Sequence, residues 1–525
     1  MKRVIYHRVA SCALTGLNGV PVEIEVTVLP GLPRFEISGR GDSAIRESRD
    51  RVRAAIGNVG YVFPKGRVIA SYAPAALPKQ GSAFDLPLAL AILAASSQAV
   101  RPDHLPKSAS FGELALNGRV KPVQGALGRL LSLRDAGIRH VIGPAEHADA
   151  ARWVDDIVYE GVSHLREAID RFSGVPGPPP TSHNLEATRD TAVEPSFLDV
   201  VRGQEEGVRA AVIAAAGWHP MLLMGAPGSG KTSLASAVPD LLPPLTDAEA
   251  MDVLRIRSVM DADAGHGRLP VARPFRHTHH SLTTAALIGG GVTPTPGECT
   301  LAHRGVLFLD EVTEVKPHVL DALREPLETM TVHLARARWT VEFPADFLLI
   351  AACNPCRCGY LLEPGTVCRC TDAMVRRHLS RISGPLFDRF DMAVHLTRVT
   401  SREIAVTGPA DPTDTAKSDR ARSLVTQAWA AQARRAERHH LSHPMNGRVP
   451  ADRIPHVFAI EDEAMTLAGE LADRTLMSPR AFFSMLKVAR TIADLDGRDT
   501  VGVDAIAEAH HFKGRLPFAA PPTPR

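Results

Sequence analysis

The run GAPGSGKT at Gly225–Thr232 constrains this 525-residue chain more than any other feature. It matches the pattern G-x-x-x-x-G-K-[ST], follows the strand-like MLLM at Met221–Met224 and opens the helix-compatible KTSLASAV. A loop of this kind needs glycines because its backbone N–H groups must turn inward around phosphate oxygens, where the start of the following helix adds positive potential. Gly225, Ala226, Pro227, Gly228, Ser229, Gly230, Lys231 and Thr232 are therefore read as a phosphate cradle. Within it, Lys231 reaches the β- and γ-phosphates of a nucleotide, and the Thr232 hydroxyl ligates Mg²⁺. The alternative, a glycine-rich turn before a helix, does not explain the lysine and the hydroxyl that follow it.

Downstream features complete a nucleotide-hydrolysing set. GVLFLDE at Gly305–Glu311 is an apolar strand ending in two carboxylates. Asp310 suits the Mg²⁺ shell, and Glu311 suits polarisation of an attacking water. LLIAACN is another buried strand and ends in Asn354, the sensor-1 position of AAA+ ATPases, where an amide can hydrogen-bond the same water or the γ-phosphate. Arg389 in GPLFDRFD is placed as an arginine finger toward a neighbouring subunit's ATP, and Arg480 in MSPRAFF has the place of sensor 2. A lone arginine is more often a surface ion-pair partner. The order of P-loop, acidic strand, Asn354, Arg389 and Arg480 favours the catalytic reading.

Composition narrows what else the chain can be. A formal net charge of +2 excludes a protein that coats nucleic acid with a wholly basic face, so any DNA contact must be local. The most apolar window, DLPLALAILAAS from Asp85, is too short to cross a bilayer and suits a buried helix. The first residues lack a continuous apolar stretch of the secretory type, and a cytoplasmic protein with no membrane partner is expected. Seven cysteines, mostly clustered, do not form a disulfide framework. Cys353 lies within a strand and is read as packing. Cys356, Cys358, Cys368 and Cys370 form two C-x-C pairs around GYLLEPGTV, which leaves structural Zn²⁺, turn packing and redox pairing open, in that order.

Three blocks separate along the chain, with no internal repeat. Residues 1–172 mix strands and helices: VEIEVTV alternates as a half-buried strand, Asn117-Gly118 marks a hairpin, and SAIRESRDRVRAAIG and QGALGRLLSLRDAG are helical. Residues 173–196 are rich in proline and polar residues and read as a linker. Residues 197–400 alternate apolar strands with helices and carry the motifs, and residues 401–525 are helical by pattern.

The segments ESRDRVRAAIGN, LPKQGSAFDLPLALAIL, RPFRHTHHSLTTAALIGGG, PGECTLAHRGVLFLDE, NPCRCGY, ISGPLFDRFD and RAFFSMLKVARTIADL add a specific resemblance. Through them nearly the whole chain resembles magnesium-chelatase-like AAA+ ATPases of the ComM/YifB type. The resemblance implies an α/β multi-domain protein with a Lon-protease-like α+β N-terminal domain, a P-loop AAA+ core with a parallel sheet, and a helical C-terminal lid. It further implies ATP and Mg²⁺ as cofactors and a homo-oligomeric, hexameric ring. The implied activity is a DNA helicase or branch-migration motor in DNA uptake or recombination. The alternative is a AAA+ remodeller of a protein or of a metal-insertion complex, as in magnesium chelatase.

Two stretches suit a ring motor. Between Lys231 and Asp310 the chain is longer than a minimal AAA+ core needs, and RPFRHTHHSLTTAALIGGGVTPTPGE is read as a loop inserted in the second core helix. Arg276–His280 (RHTHH) is read as shaping that loop, since no carboxylate stands at a helical spacing to complete a metal site. ETMTVHLARARWTVEF reads as two β-runs that place His333, Arg336 and Arg338 near a hairpin. Basic side chains there can track the backbone of single-stranded or branched DNA, although exposed strand arginines often bind nothing. The Lon resemblance also raises a Ser–Lys peptidase. Laid on the Lon motifs, the nucleophile slot falls on Ala83, with Ser82 before it, and the lysine slot falls on Leu127, so neither dyad partner is present and the domain is read as a scaffold rather than a protease.

Overall fold

The computed structural model describes residues 5–38, 43–74, 81–102, 107–177, 201, 203–261, 269–291, 293–336, 339–363, 365–399 and 415–514. Its first part is built from β1 (Ile5–Thr15), β2 (Asn18–Leu29), β3 (Arg34–Ser38), α1 (Ser43–Asn58), β4 (Arg67–Ala73), α2 (Asp85–Ala95), β5 (Ser108–Ser110), α3 (Ala126–Asp135), β6 (His140–Pro144) and β7 (Val158–Val162). The strands form one sheet in the order β3-β4-β2-β1-β5-β6-β7. β2 pairs antiparallel with both β1 and β4. Its buried residues Val22, Ile24 and Val26 alternate with outward-facing Glu23 and Glu25, as expected of a strand with one wet face. Every residue of α2 is buried, the fate of a short helix that is apolar all round. The expected hairpin pairs Glu113–Leu114 with Val120–Lys121, Gly118 taking the left-handed turn conformation.

The second part contains α4 (Glu205–Gly217), β8 (Met221–Gly225), α5 (Lys231–Leu241), α6 (Asp247–Met260), β9 (Phe275–Thr278), β10 (Val306–Leu309), α7 (Arg324–Thr329), β11 (Thr331–Arg336), β12 (Trp339–Pro344), β13 (Leu348–Cys353), α8 (Asp372–Leu379) and β14 (Met392–Leu396). A wholly parallel sheet runs in the order β9-β10-β13-β8-β14. Its inner strands β8, β10 and β13 are buried along their full length. That is why MLLM, VLFL and LLIAAC read as unbroken apolar runs rather than alternations. β11 and β12 form the separate antiparallel hairpin expected over this stretch.

The last part is helical: α9 (Thr415–Arg438), α10 (Asp462–Thr475), α11 (Pro479–Leu495) and α12 (Val503–Lys513). It closes on α4, where Trp429 Nε1 donates to Ala215 O at 3.0 Å and Gln432 Nε2 to Ala216 O at 2.8 Å. Residues 178–196 of the expected linker and 401–414 of the expected last block lie outside the described residues.

The glycine- and proline-rich stretch expected as one inserted loop is divided differently. Phe275–Thr278 is the edge strand β9, paired in parallel register with Val306–Leu309. Further on, a short hairpin pairs Gly289–Gly290 with Thr295–Pro296 between the short helices Thr284–Ile288 and Glu298–Leu301. Four polar-rich residues make a strand here because β10 supplies the ladder, a contribution that local pattern does not carry.

Besides shared apolar surface, specific contacts tie the parts together. At the β1–β2 turn Leu17 is buried in the core beside the 331–344 hairpin, and Arg255 Nε of α6 donates to its carbonyl at 3.1 Å. Gly16 makes the approach possible: its φ is +61°, and a Cβ there would stand 2.4 Å from Val341 Cγ1. At the far end, the buried Asp346 carboxylate accepts from Trp218 Nε1 (3.2 Å), Arg304 Nη1 (3.3 Å) and Arg448 Nη2 (2.9 Å), with His443 Nε2 at 2.9 Å. Burial alone would raise the pKa of this carboxyl; His443 and the two arginines hold it well below the usual carboxylate range.

Asp346→Ala should therefore destabilise the chain by about 3–5 kcal/mol in urea unfolding, because it leaves the nearly buried Arg448 without its counter-charge, whereas the partly exposed Arg304 keeps Asp252 at 3.5 Å. The sign of the pH dependence follows from the depressed pKa: the contribution of Asp346 is present above the unfolded-state value of about 4 and is lost as pH falls below it. The wild type minus Asp346→Ala stability difference should shrink in that acid range.

Candidate nucleotide site

The parallel register brings the functional side chains to one rim. Met224 of β8 pairs with Cys353 of β13, Leu309 of β10 with Ala351, and Thr278 of β9 with Leu309, so the strands end at nearly the same level. Loops leaving the carboxyl ends of such strands are where open α/β sheets bind ligands. Gly225 ends β8, the loop 226–230 follows, and α5 begins at Lys231. Gly228 and Gly230 take φ of +77° and +86°, and a Cβ on either would meet no heavy atom within 4 Å, so the loop opens onto free space. The first N–H groups of α5 have no acceptor within the helix and face the same space.

The half-buried Lys231 ammonium donates to Gly225 O and Ala226 O, both at 2.9 Å, and to Asn354 Oδ1 at 3.2 Å. Burial lowers its pKa, and among the described residues it forms no ion pair with a carboxylate. A cation whose hydrogen bonds all go to neutral acceptors, with Asp310 and Glu311 near but not paired to it, is poised for an anionic ligand. Next to it Thr232 Oγ1 donates to Asp310 Oδ2 at 3.1 Å. Asp310 Oδ1 in turn accepts from the N–H of Glu311 at 2.9 Å. Glu311 itself sits in the left-handed region at φ +48°, a costly conformation for a non-glycine residue that turns its half-exposed carboxylate out of the strand line. Hydroxyl, carboxylate, ammonium and amide thus meet, and this donor set fits a triphosphate with Mg²⁺ on Thr232 and Asp310.

The histidines of RHTHH stand at this rim rather than in a loop apart. His280 Nδ1 lies 3.0 Å from Glu311 Oε2, and His277 Nε2 lies 3.8 Å from Asp310 Oδ2. The carboxylates beside these histidines follow the end of the neighbouring strand β10.

Arg389 and Arg480 converge on one carboxylate that sequence reasoning did not single out. Arg389 Nη2 donates to Glu328 Oε1 at 2.6 Å and Arg480 Nη2 to the same oxygen at 2.8 Å. The hydrogen bond from Arg480, with Arg389 beside it, lowers the pKa of Glu328. Among the described residues no ion pair or hydrogen bond joins either arginine to the Lys231–Asp310 group. His333 of β11 is half exposed, with Nδ1 3.8 Å from Glu342 of β12. Arg336 ends β11, and Arg338 lies outside the described residues. Ala83 and Leu127, at the slots of a Lon dyad, are both buried and apolar.

The four outer cysteines also converge, their sulfurs all within 4.8 Å of one another. Cys353 stays apart in β13, and burial pushes its thiol up to about 12.

Comparison with known proteins agrees along the whole chain. Residues 197–404 match the family model described as magnesium chelatase, subunit ChlI, residues 24–147 match subunit ChlI of Mg-chelatase, and residues 415–513 match the subunit's C-terminal region. YifB of Escherichia coli is 37% identical over 95% of this chain and 96% of its own length. The competence protein ComM of Haemophilus influenzae is 35% identical over 98% of this chain and 97% of its own. Lon protease 2 of Bacillus subtilis is 30% identical over 34% of this chain and 36% of its own length.

Arg480 and Glu328 are each about half exposed, so Arg480→Ala should change the unfolding free energy by less than about 1 kcal/mol in urea denaturation. A larger loss would make this arginine a structural strut rather than a group free to act elsewhere.

Proposed function

The chain belongs to the ComM/YifB family of magnesium-chelatase-like AAA+ ATPases, and from that membership we propose that it is a cytoplasmic, ATP-hydrolysing ring motor that acts on DNA. The observation that carries the reading is Lys231: an ammonium without a carboxylate partner, set beside the Thr232–Asp310 pair and the Asn354 amide. In this reading the P-loop N–H groups and Lys231 bind the β- and γ-phosphates of ATP. Mg²⁺ held by Thr232 and Asp310 supplies charge neutralisation on the same phosphates. Glu311 orients and polarises the attacking water, and Asn354 holds that water or the γ-phosphate in line. His280 stands beside one oxygen of Glu311, and the other oxygen is left to take the water.

Arg389 serves as the finger toward a neighbouring subunit and Arg480 as sensor 2, and both must leave or share Glu328 to do so. Assembly as a hexameric ring gives the finger its target. The 331–344 hairpin, with His333, Arg336 and Arg338, is the element proposed to track a single-stranded or branched DNA backbone, as a branch-migration helicase of the ComM type requires. The charge on this element is local, which suits a chain whose net charge is only +2. The cofactors are ATP and Mg²⁺, with Zn²⁺ on the four clustered thiols.

The test is ATP hydrolysis by the purified chain, alone and with single-stranded, forked and four-way-junction DNA. Stimulation by DNA is expected, with activity falling about 100-fold or more in Lys231→Ala and in Glu311→Gln. Robust hydrolysis indifferent to every DNA would replace the DNA motor with a remodeller of a protein or metal-insertion complex.

A further inference from the structure

Cys356-Arg357-Cys358 and Cys368-Arg369-Cys370 repeat one tripeptide on either side of Gly359–Val367. All four thiols are free. Cys356 Sγ lies 3.3 Å from Cys358 Sγ and 3.7 Å from Cys368 Sγ, and Cys358 Sγ lies 3.5 Å from Cys368 Sγ. Neutral thiols gain little from such crowding, since S–H is a weak donor and sulfur a weak acceptor. A disulfide would draw its two sulfurs to about 2.05 Å, far shorter than any of these spacings. A Zn²⁺ ion with four Zn–S bonds of about 2.3 Å sets its sulfurs about 3.8 Å apart, close to the 3.3–3.7 Å among Cys356, Cys358 and Cys368 and inside the 4.8 Å that bounds all four. Only Cys356 is fully buried; the other three stand partly at the surface on a floor made by Val375 and Leu379 of α8. That is an open knuckle rather than a piece of apolar core.

The same segment touches the nucleotide site at two points. Asn354 precedes Cys356 by two residues, with Pro355 between them, and its carbonyl accepts from His378 Nε2 of α8 at 3.1 Å. Gly359, at φ +85°, comes so close to the P-loop that a Cβ on it would stand 2.5 Å from Pro227 Cδ. α8 thus holds both the thiol cluster and the Asn354 backbone, and the loop between the thiols abuts Pro227.

We propose that Cys356, Cys358, Cys368 and Cys370 bind one Zn²⁺ as a tetrathiolate, and that this knuckle is a positioning element that sets Asn354 and the P-loop for ATP. The coupling rests on the nucleotide reading of the P-loop given above; the metal site does not. Binding releases the four thiol protons and leaves a cluster of charge −2. Arg357 and Arg369, one inside each pair, offset that charge, and no redox partner is needed.

The experiment starts with full-length protein purified without chelators or metal-affinity columns. Elemental analysis should find about one zinc per chain, released on titration with a thiol-specific mercurial, and Co²⁺ exchanged into the site should show thiolate-to-cobalt absorption. Cys356→Ser and Cys368→Ser should lose the metal, whereas Cys299→Ala, at a buried thiol outside the cluster, should keep it. Metal-free wild-type protein, zinc retained by both serine variants, or paired disulfides by mass spectrometry would overturn the site.

Zinc removal should weaken binding of a fluorescent ATP analogue about tenfold or more, with recovery when zinc is restored. Gly359→Ala should weaken that binding while still holding zinc, a split that simple unfolding would not produce. Unchanged nucleotide affinity after zinc removal would overturn the coupling. Wild-type protein that holds zinc yet binds no nucleotide would instead overturn the nucleotide reading and leave the metal site standing.

Discussion

A single ammonium group organises the centre of this molecule. Lys231 stands at the end of β8 with its proton donors spent on two loop carbonyls and the Asn354 amide. Holding a charge half out of water without a close counter-charge is costly, and burial lowers the pKa of this lysine. The cost is tolerable only where the carbonyls and the amide are held in place. β8 provides that by lying between β13 and β14, so that both of its edges are hydrogen-bonded. Asn354 arrives because β13 runs parallel to β8 and ends at the same level; Asp310 arrives because β10 runs parallel to β13. The parallel sheet is thus the device that converts residues more than a hundred positions apart into one site.

The other parts of the chain pack on that core through shared apolar surface and through specific contacts set within it. The first sheet presents the β1–β2 turn, where Gly16 allows the close approach to Val341 and Leu17 fills an apolar socket. The helical part is tied to the core through Asp346, whose carboxylate serves groups from both. Glu328 holds two arginines that belong to different parts, Arg389 from the core and Arg480 from α11. A shift of the helical part relative to the core would change what Arg480 can reach. A carboxylate shared in this way suits a protein whose arginines are proposed to exchange partners during a nucleotide cycle.

Much of the site was legible because each motif carries its own local reason. GAPGSGKT must turn its amides inward, and an apolar run ending in Asp-Glu must be a buried strand whose carboxylates emerge at its end. The histidines of RHTHH were not legible in the same way. Phe275–Thr278 is short, mixed in polarity and at the sheet edge, so nothing in its own pattern distinguishes it from a loop. It becomes a strand because β10 offers it a ladder, and only then does His280 meet Glu311. Glu328 was missed for a related reason: a carboxylate in a six-residue helix has no signal until two distant arginines find it.

What the sequence determined by itself was chemistry confined to short spans: the phosphate loop, the acidic strand end, two C-x-C pairs, and the alternation or continuity that separates half-wet strands from doubly buried ones. These follow from backbone geometry and side-chain polarity over a few residues, which any copy of the stretch would share. Tertiary structure alone decided which of those pieces meet. The placing of Asn354 on Lys231, of His280 on Glu311, of Arg389 and Arg480 on one carboxylate, and of Gly359 against Pro227 depends on strand order and packing across the whole chain. Those are collective outcomes of burying several apolar surfaces at once, and no short stretch contains them.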